Sequence, residues 1–522
     1  MAKEIEIREF HQARWNEPIV LELTVPGERG ILVAKAEQEV AEAAGDVLGE
    51  IAGVRRKKRP ALPQVSQPRL VRHYSRVTQE MMGSDNTLGI SQGTCTLKYN
   101  PKVQEHMMRH PGLMDVHPLQ DTDTMQGILE IYYKTEQIMK ELAGMERFSF
   151  LPVAGGHAIY TNAQLVRKYH ESKGNTHKTE IVTTLHSHPV DAAASSTLGY
   201  KIITLMPDEK TGLPNFEEYK AALSEKTAAI FITNPEDTGI FNDRIHEFTE
   251  AAHQVDAVCV YDQANANALL GVARAGEAGF DLMHFNLHKT FSSPHGSDGP
   301  GCGAIGCTGA FEAFLPKPTV EFDGSKYYLD YDRKDSIGYV KLFLGNATAV
   351  TRAYMWCMSL GWEGMRQAAV ISVLNNQYMT KKILEKVPGV SLHYGKGERR
   401  MEQTRLSFDK LFEETGLGIV DVNHRLVDYG ISELWMSHHP FTVPEPFTPE
   451  PCESYNKDDI DYYVEVLRRI AVECREDPET IRTAPHKCAR HRPIDIPADS
   501  TEESFGKLAT TWRAYVKRFG KS

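Results

Sequence analysis

From about residue 122 the chain alternates short apolar, β-branched runs with stretches whose apolar positions recur at helical spacing. Residues 179–183, 201–205, 228–232 and 257–261 read as strands, and 125–142, 215–224 and 245–254 as helices. Several of the strand runs are apolar at consecutive positions, which suits a largely parallel sheet buried on both faces by helices. After about residue 352 the pattern changes. A helical block at 354–384 precedes a smaller α+β region that closes on a helix over 457–474. Ahead of the alternating region, residues 1–75 read as an extended arm with one helix at 34–51, after which Pro60, Pro63 and Pro68 impose extended chain. The predicted organisation is an arm and loop-rich segment over 1–120, a large α/β domain over 121–352 and a small domain over 353–522.

Composition narrows the classes of function. The 522 residues carry 59 Lys plus Arg against 70 Asp plus Glu, a net charge of −11, which argues against a nucleic-acid surface. Arg55-Arg56-Lys57-Lys58-Arg59 reads as a solvated linker in so acidic a chain. No stretch approaches the roughly 18 apolar residues of a membrane span, and the N-terminus has no apolar signal core. A soluble, cytoplasmic protein is expected. The eight cysteines form no Cys-x-x-Cys pair, so no disulfide framework is expected. His486, Cys488 and His491 lie close in sequence but lack a fourth ligand at usual spacing, so no metal is expected either.

The chemistry concentrates at Lys289. An apolar run ends in Asn286-Leu287-His288-Lys289-Thr290, followed by a loop rich in Gly, Ser and Pro. A lysine delivered to the end of a buried strand is partly desolvated, which favours the free amine, and a free amine condenses with an aldehyde. Upstream, the strand at 257–261 delivers Asp262 to the same kind of position. A carboxylate there suits the pyridinium nitrogen of pyridoxal phosphate (PLP), keeping it protonated so that the ring accepts electrons. Thr233 and Asn234 end the preceding strand, within reach of the same site. Gly155 and Gly156, in Ala154-Gly155-Gly156-His157, let backbone N–H groups approach an anion. Gly301-Cys302-Gly303-Ala304-Ile305-Gly306 has the spacing of a dinucleotide fingerprint but follows a Pro/Gly loop instead of a strand, so nicotinamide binding is not expected.

These segments resemble subunit 2 of glycine dehydrogenase (decarboxylating), the P-protein family of the glycine cleavage system. Residues 286–296 fit the family's Asn-Leu-His-Lys-Thr-Phe-Ser-x-Pro-His-Gly. Tyr261-Asp262-Gln263-Ala264-Asn265 stands where the family has Tyr-Asp-Gly-Ala-Asn. Residues 233–241 are close to Thr-Asn-Pro-Asn-Thr-Leu-Gly-x-Phe, and 94–102 to Ser-Cys-Thr-Met-Lys-Tyr-Asn-Pro-Lys. The resemblance runs from about residue 18 to about residue 495. It implies the fold-type I architecture of PLP enzymes: a mostly parallel central sheet with flanking helices, a smaller C-terminal α+β domain and an N-terminal arm. It implies that Gly155 and Gly156 cradle the phosphate, that His188 stacks on the pyridine ring, and that His288 lies beside the Lys289 linkage. His186 is two residues away and competes with His188 for that assignment. Lys98 and Arg352 are the resemblance's candidates for a substrate carboxylate, and Cys95 lies in the same motif as Lys98.

The implied reaction is decarboxylation of glycine by an oxidoreductase that passes the aminomethyl group to a lipoyl carrier protein. At about half the length of single-chain relatives, this chain is expected to work with a homologous subunit lacking the lysine, or as a homodimer. Departures cluster around the site. Ala158-Ile159 replaces Gly-Glu, residues 189–194 replace Gly-Thr-Asn-Pro-Ala-Ser, Gln263 replaces Gly, and Ser297-Asp298 replaces two glycines. They motivate an alternative: a PLP enzyme of the same family acting on another amino acid without the lipoyl carrier.

Overall fold

The computed structural model describes residues 5–15, 17–46, 49, 53–54, 56–58, 60, 62–83, 86–91, 98–294, 301–432, 434–439 and 441–489. The chain forms two units, residues 1–9 with 82–482, and residues 10–81 with 483–522. In the second unit the helix expected at 34–51 is shorter, Gln38–Ala44. It stops at Gly45, whose φ of +62° L-residues rarely adopt. The helix Gln67–Gln79 follows; Arg76 Nη1 and His73 Nδ1 both meet the Glu17 carboxylate, at 2.6 and 2.8 Å.

The first unit is built on a seven-stranded sheet: β1 (Arg147–Ser149), β2 (Glu180–Thr184), β3 (Lys201–Leu205), β4 (Thr227–Thr233), β5 (Val258–Asp262), β6 (Leu282–Asn286) and β7 (Gly303–Cys307). Their order across the sheet is β1-β7-β6-β5-β4-β2-β3. Every pairing from β6 through β3 is parallel; β7 runs antiparallel to both β6 and β1. The strands at 201–205, 228–232 and 257–261 therefore fall where the pattern predicted them, within a residue at each end. The missing in–out alternation has a direct cause. On β4, Ile230 and Ile232 enter a core on one face while Ala229 and Phe231 enter a core on the other. Helices cover both faces, Gln126–Ala143 and Ile245–Gln254 on the first and Gly155–Ser172 on the second. The Gly-x-Gly-x-x-Gly run is strand β7, not a turn opening a helix, which accords with its rejection as a fingerprint.

The helical block expected at 354–384 is longer, Ala347–Lys386, and consists of two helical segments meeting at Gly361 (φ +64°, ψ −177°), a backbone conformation that only glycine adopts readily. Its first part packs Trp356 into the sheet's core. Its second part sends Met379 and Ile383 into a separate core with Leu406, Phe408, Phe447 and the helix Lys457–Glu476. That second core holds the smaller α+β layer, with Leu406–Ser407 antiparallel to Pro446–Phe447. Among the described residues, no helix is long and apolar enough to cross a membrane.

Candidate active site

Because β2, β4, β5 and β6 are parallel, their carboxyl ends present side chains to one edge of the sheet. Thr233 and Asp262 are paired in register as the last residues of β4 and β5, and Lys289 lies three residues past β6. Asp262 is 3 % exposed and Lys289 is 7 % exposed. Asp262 Oδ1 accepts the Ala264 N–H at 3.0 Å and lies 3.5 Å from His284 Nε2, an electrostatic contact rather than a hydrogen bond. Burial works against the charged carboxyl, but His284, His188, Lys289 and the Ala264 N–H outweigh it and hold Asp262 below the usual carboxylate range.

The two loop histidines occupy different surroundings. His188 caps the helix Pro189–Thr197, its Nδ1 accepting the Val190 N–H at 3.1 Å, and its own N–H donates to Thr233 Oγ1 at 3.3 Å. It faces Asp262 and Lys289. Burial is the main reason its imidazole falls to about 4, opposed by Asp262 and reinforced by Lys289, so the ring is neutral at neutral pH. His186 has its Nδ1 3.2 Å from the Gly212 carbonyl and its ring against Tyr394.

Asn234 holds the loop after β4, its side chain exchanging two hydrogen bonds with the Asn242 backbone at 2.9 and 3.1 Å. His288 Nδ1 accepts the Cys302 N–H at 3.2 Å, and a Cβ on Gly301 would lie 2.5 Å from that nitrogen. Lys98 and Arg352 already meet carboxylates. Lys98 Nζ is 2.9 Å from Glu453 and near the Trp356 ring, and Arg352 grips Glu105 through Nε and Nη2 at 2.7 and 2.9 Å. Cys95, His295, Ser297 and Asp298 lie outside the described residues, as does His491.

The side chains present fit PLP. The helix Gly155–Ser172 begins after Ala154, whose backbone is extended and whose side chain caps nothing, so its first-turn N–H groups and positive dipole end are open to an anion. A Cβ on Gly155 would come 2.6 Å from Asn286 Nδ2, so glycine keeps the backbone against the strand end. The departures from the family pattern are structural as well as chemical. Ala158 and Ile159 are fully buried in the core under that helix, so no carboxylate stands there. Asp191 is buried beside Asp262 with no donor to either oxygen; burial and Asp262 push its carboxyl well up, holding it protonated.

Sequence reasoning missed several groups. Glu450 accepts from the Asn265 and Asn267 side chains at 2.8 and 2.6 Å, and Glu402 lies near it. Burial raises Glu402 to about 8 and Glu450 to about 7, with Lys289 drawing both back. Asp237, Arg405 and His438 form a further cluster, Asp237 Oδ2 lying 2.6 Å from His438 Nδ1 and 3.3 Å from Arg405 Nη2. The signals on offer were Asn265, inside the motif that carries Asp262, and Asp237, inside the motif over 233–241.

Comparison with known proteins agrees with this arrangement. Residues 154–298 match the family described as aminotransferase class-V, and residues 368–492 the family described as glycine dehydrogenase, C-terminal domain. The chain is 39 % identical to the probable glycine dehydrogenase (decarboxylating) subunit 2 of Thermococcus kodakarensis, over 97 % of this chain and 98 % of that protein. It is 37 % identical to the same subunit from Staphylococcus aureus strain Newman, over 83 % of this chain and 86 % of that one. Among solved structures it is similar to an inhibitor-bound glycine decarboxylase (P-protein) of the glycine cleavage system, with a TM-score of 0.68 at 20 % identity, covering 84 % of this chain and all of that one. It is also similar to a cysteine desulfurase of Escherichia coli, with a TM-score of 0.57 at 14 % identity, covering 76 % of this chain and 97 % of that one. Both structural likenesses concern the fold, which is that of fold-type I. The near-complete overlap at 39 % identity shows that this chain belongs to the family of glycine dehydrogenase (decarboxylating) subunit 2.

Proposed function

We propose that this chain decarboxylates glycine with PLP and passes the aminomethyl group to a lipoyl carrier protein, working with a homologous subunit that lacks the lysine. The observation that carries the reading is that Lys289, Asp262 and His188 stand at or past the carboxyl ends of β6, β5 and β2 in one parallel sheet and feel one another's charge.

PLP, when bound, supplies the electron sink that accepts the pair left behind by departing CO2. The Lys289 amine would hold the cofactor and could carry a proton at Nζ. Asp262, kept ionised by its neighbours, would hold a proton at the pyridine nitrogen. The neutral His188 ring would be the aromatic surface offered to the cofactor's ring, and its burial would help exclude water there. The first-turn N–H groups at Gly155 and Gly156 would hold the phosphate.

The test is exchange of labelled bicarbonate into glycine by the protein reconstituted with its partner subunit and the lipoyl carrier. Exchange is expected; its absence in the full set refutes the proposal. A second reading, action on another amino acid without the carrier, draws on the charged cluster at Asp237, Arg405 and His438, because residues 236–238 stand where the family has Asn-Thr-Leu. An absorbance screen of amino acids against the cofactor-loaded protein separates the two, since response to glycine alone removes the second.

A further inference from the structure

We propose that Glu402 and Glu450 form one buried acid pair that keeps the Lys289 nitrogen protonated when it is linked to the cofactor. Both are positioning residues, acting through Lys289 and not on the substrate. The proposal rests on the reading above that Lys289 carries PLP, and on nothing about which substrate is used.

Both carboxyls come from the smaller α+β layer, Glu402 just ahead of the strand Leu406–Ser407 and Glu450 just after Pro446–Phe447. Glu450 is fully buried and Glu402 is 2 % exposed. Oε1 of Glu450 accepts from the Asn265 and Asn267 side chains at 2.8 and 2.6 Å. Those asparagines stand on the loop that follows Asp262, and the same loop is tied to the residue beside Lys289. Thr290 Oγ1 accepts the Ala266 N–H at 2.8 Å and lies 3.4 Å from Asn265 Oδ1. The second oxygen of each acid, Oε2, has no hydrogen-bond partner among the described residues. An enclosed carboxylate oxygen without a donor is costly unless a cation answers it. Holding the loop would explain Oε1 of Glu450, but not the two oxygens left without donors.

Lys289 is the cation whose charge both acids feel. The other groups that meet its charge are Asp262, His284 on β6 and His188 after β2. Burial lowers both imidazoles, so neither is charged at neutral pH. Asp262 is taken up by the pyridine nitrogen in the reading above, which leaves the acid pair for Nζ. Asp237 stands near Glu402, and Lys98 near Glu450, although Lys98 already meets Glu453 at 2.9 Å. Two carboxyls enclosed together resist double ionisation. Burial lifts Glu402 to about 8, with Glu450 adding to it, and lifts Glu450 to about 7. Near neutral pH the pair therefore keeps a proton while carrying negative charge. Such a charge raises the proton affinity of Nζ, and the protonated linkage is the form an incoming amine attacks most readily.

The experiment titrates the PLP-loaded protein with pH and follows the cofactor's absorbance, which changes as the linked Nζ loses its proton; no substrate is added. Glu402→Gln, Glu450→Gln and the double variant are compared with the parent. Glutamine at 450 keeps an acceptor for Asn265 and Asn267, and borohydride-fixed label at the parent level certifies that a variant is folded and loaded. The double variant is expected to move the midpoint down by about one pH unit or more, a tenfold loss of proton affinity. Each single variant is expected to move it down by about half a unit, because the carboxyl left behind ionises more easily without its neighbour. A purely structural role would cost stability or loading and leave the midpoint in place. The proposal is overturned if the midpoint moves by less than about 0.2 unit in the loaded variants, or moves up. If the double variant does not load, the two single variants decide by the same limits; loss of loading in all three makes the pair structural and overturns it as well. A parent that takes up no PLP refutes the cofactor reading and this proposal together. The expected shifts without bicarbonate exchange leave the pair in place and refute only the glycine reading.

Discussion

Glu236→Gln should make the protein more stable, and increasingly so as pH rises. In the fold the Glu236 carboxyl is fully enclosed, Oε1 accepting from Thr184 Oγ1 at 2.7 Å and Oε2 meeting no donor. Burial raises it to about 8, against the Thr184 hydrogen bond and Arg405, which pull the other way. In the unfolded chain the same group titrates near 4.3. Between those two values the folded protein binds a proton that the unfolded chain has released. Stability therefore falls with pH through that window, by about 1.4 kcal/mol per pH unit. At pH 7 the cost reaches about 4 kcal/mol, an upper bound because local relaxation reduces it. Glutamine keeps the Thr184 contact through Oε1 and never ionises, so the variant escapes the cost. Urea-unfolding midpoints measured at about pH 5, 6, 7 and 8 should coincide most nearly at the acidic end and separate steadily above it. If the gap is absent, or the variant is the less stable protein at pH 8, then Glu236 is ionised in the fold. The charge balance described around Arg405 is then wrong.

Two further outcomes follow from the geometry. Lys289→Ala should abolish borohydride-fixed cofactor labelling, whereas Asp262→Ala should keep the labelling and lose most activity, since each 1.4 kcal/mol of lost stabilisation is about tenfold in rate; labelling of the Lys289 variant at the parent level would remove it from the site. Arg147 bridges Glu136, Glu312 and Glu321 at 2.8, 2.5 and 2.7 Å with a side chain 14 % exposed, so Arg147→Ala strands the buried Glu136 and should cost about 3–5 kcal/mol in a thermal or urea melt, a loss that the further change Glu136→Gln should partly restore.

How much was legible follows from what each feature depends on. The parallel strands were visible because burial on both faces leaves consecutive apolar residues, and β4 and β5 carry that signature to within a residue of their ends. Lys289 and Asp262 were visible because a strand end fixes a side chain's position from local sequence alone. Strand β1 went unseen because its three residues, Arg147–Ser149, are too few to show a period and one of them is charged. The long helix read as one block because Gly361 breaks its axis without breaking the apolar spacing. Arg405, His438 and Glu450 were out of reach for another reason. They come from loops far along the chain, and only the packing of residues 400–405 against 236–240 brings Arg405 to Asp237.

That contrast bears on how this chain departs from its family. The residues that anchor a cofactor sit on strand ends, where moving a side chain means moving the sheet. The departures sit at Ala158-Ile159, Asp191, Gln263 and Glu236-Asp237, in turns and first helical turns around those ends. They also form physical sets. Burial and the neighbouring Asp262 both push the Asp191 carboxyl up, which disfavours a second negative charge beside the carboxylate meant for the pyridine nitrogen. Asp237 arrives with a buried Arg405 to meet it, and with His438 on its other flank. Random drift at buried positions would leave unpaired charge, which proteins tolerate poorly. Charge that arrives paired escapes that penalty, which is why Asp237 can stand buried against Arg405 and His438 where the family has Asn-Thr-Leu at 236–238.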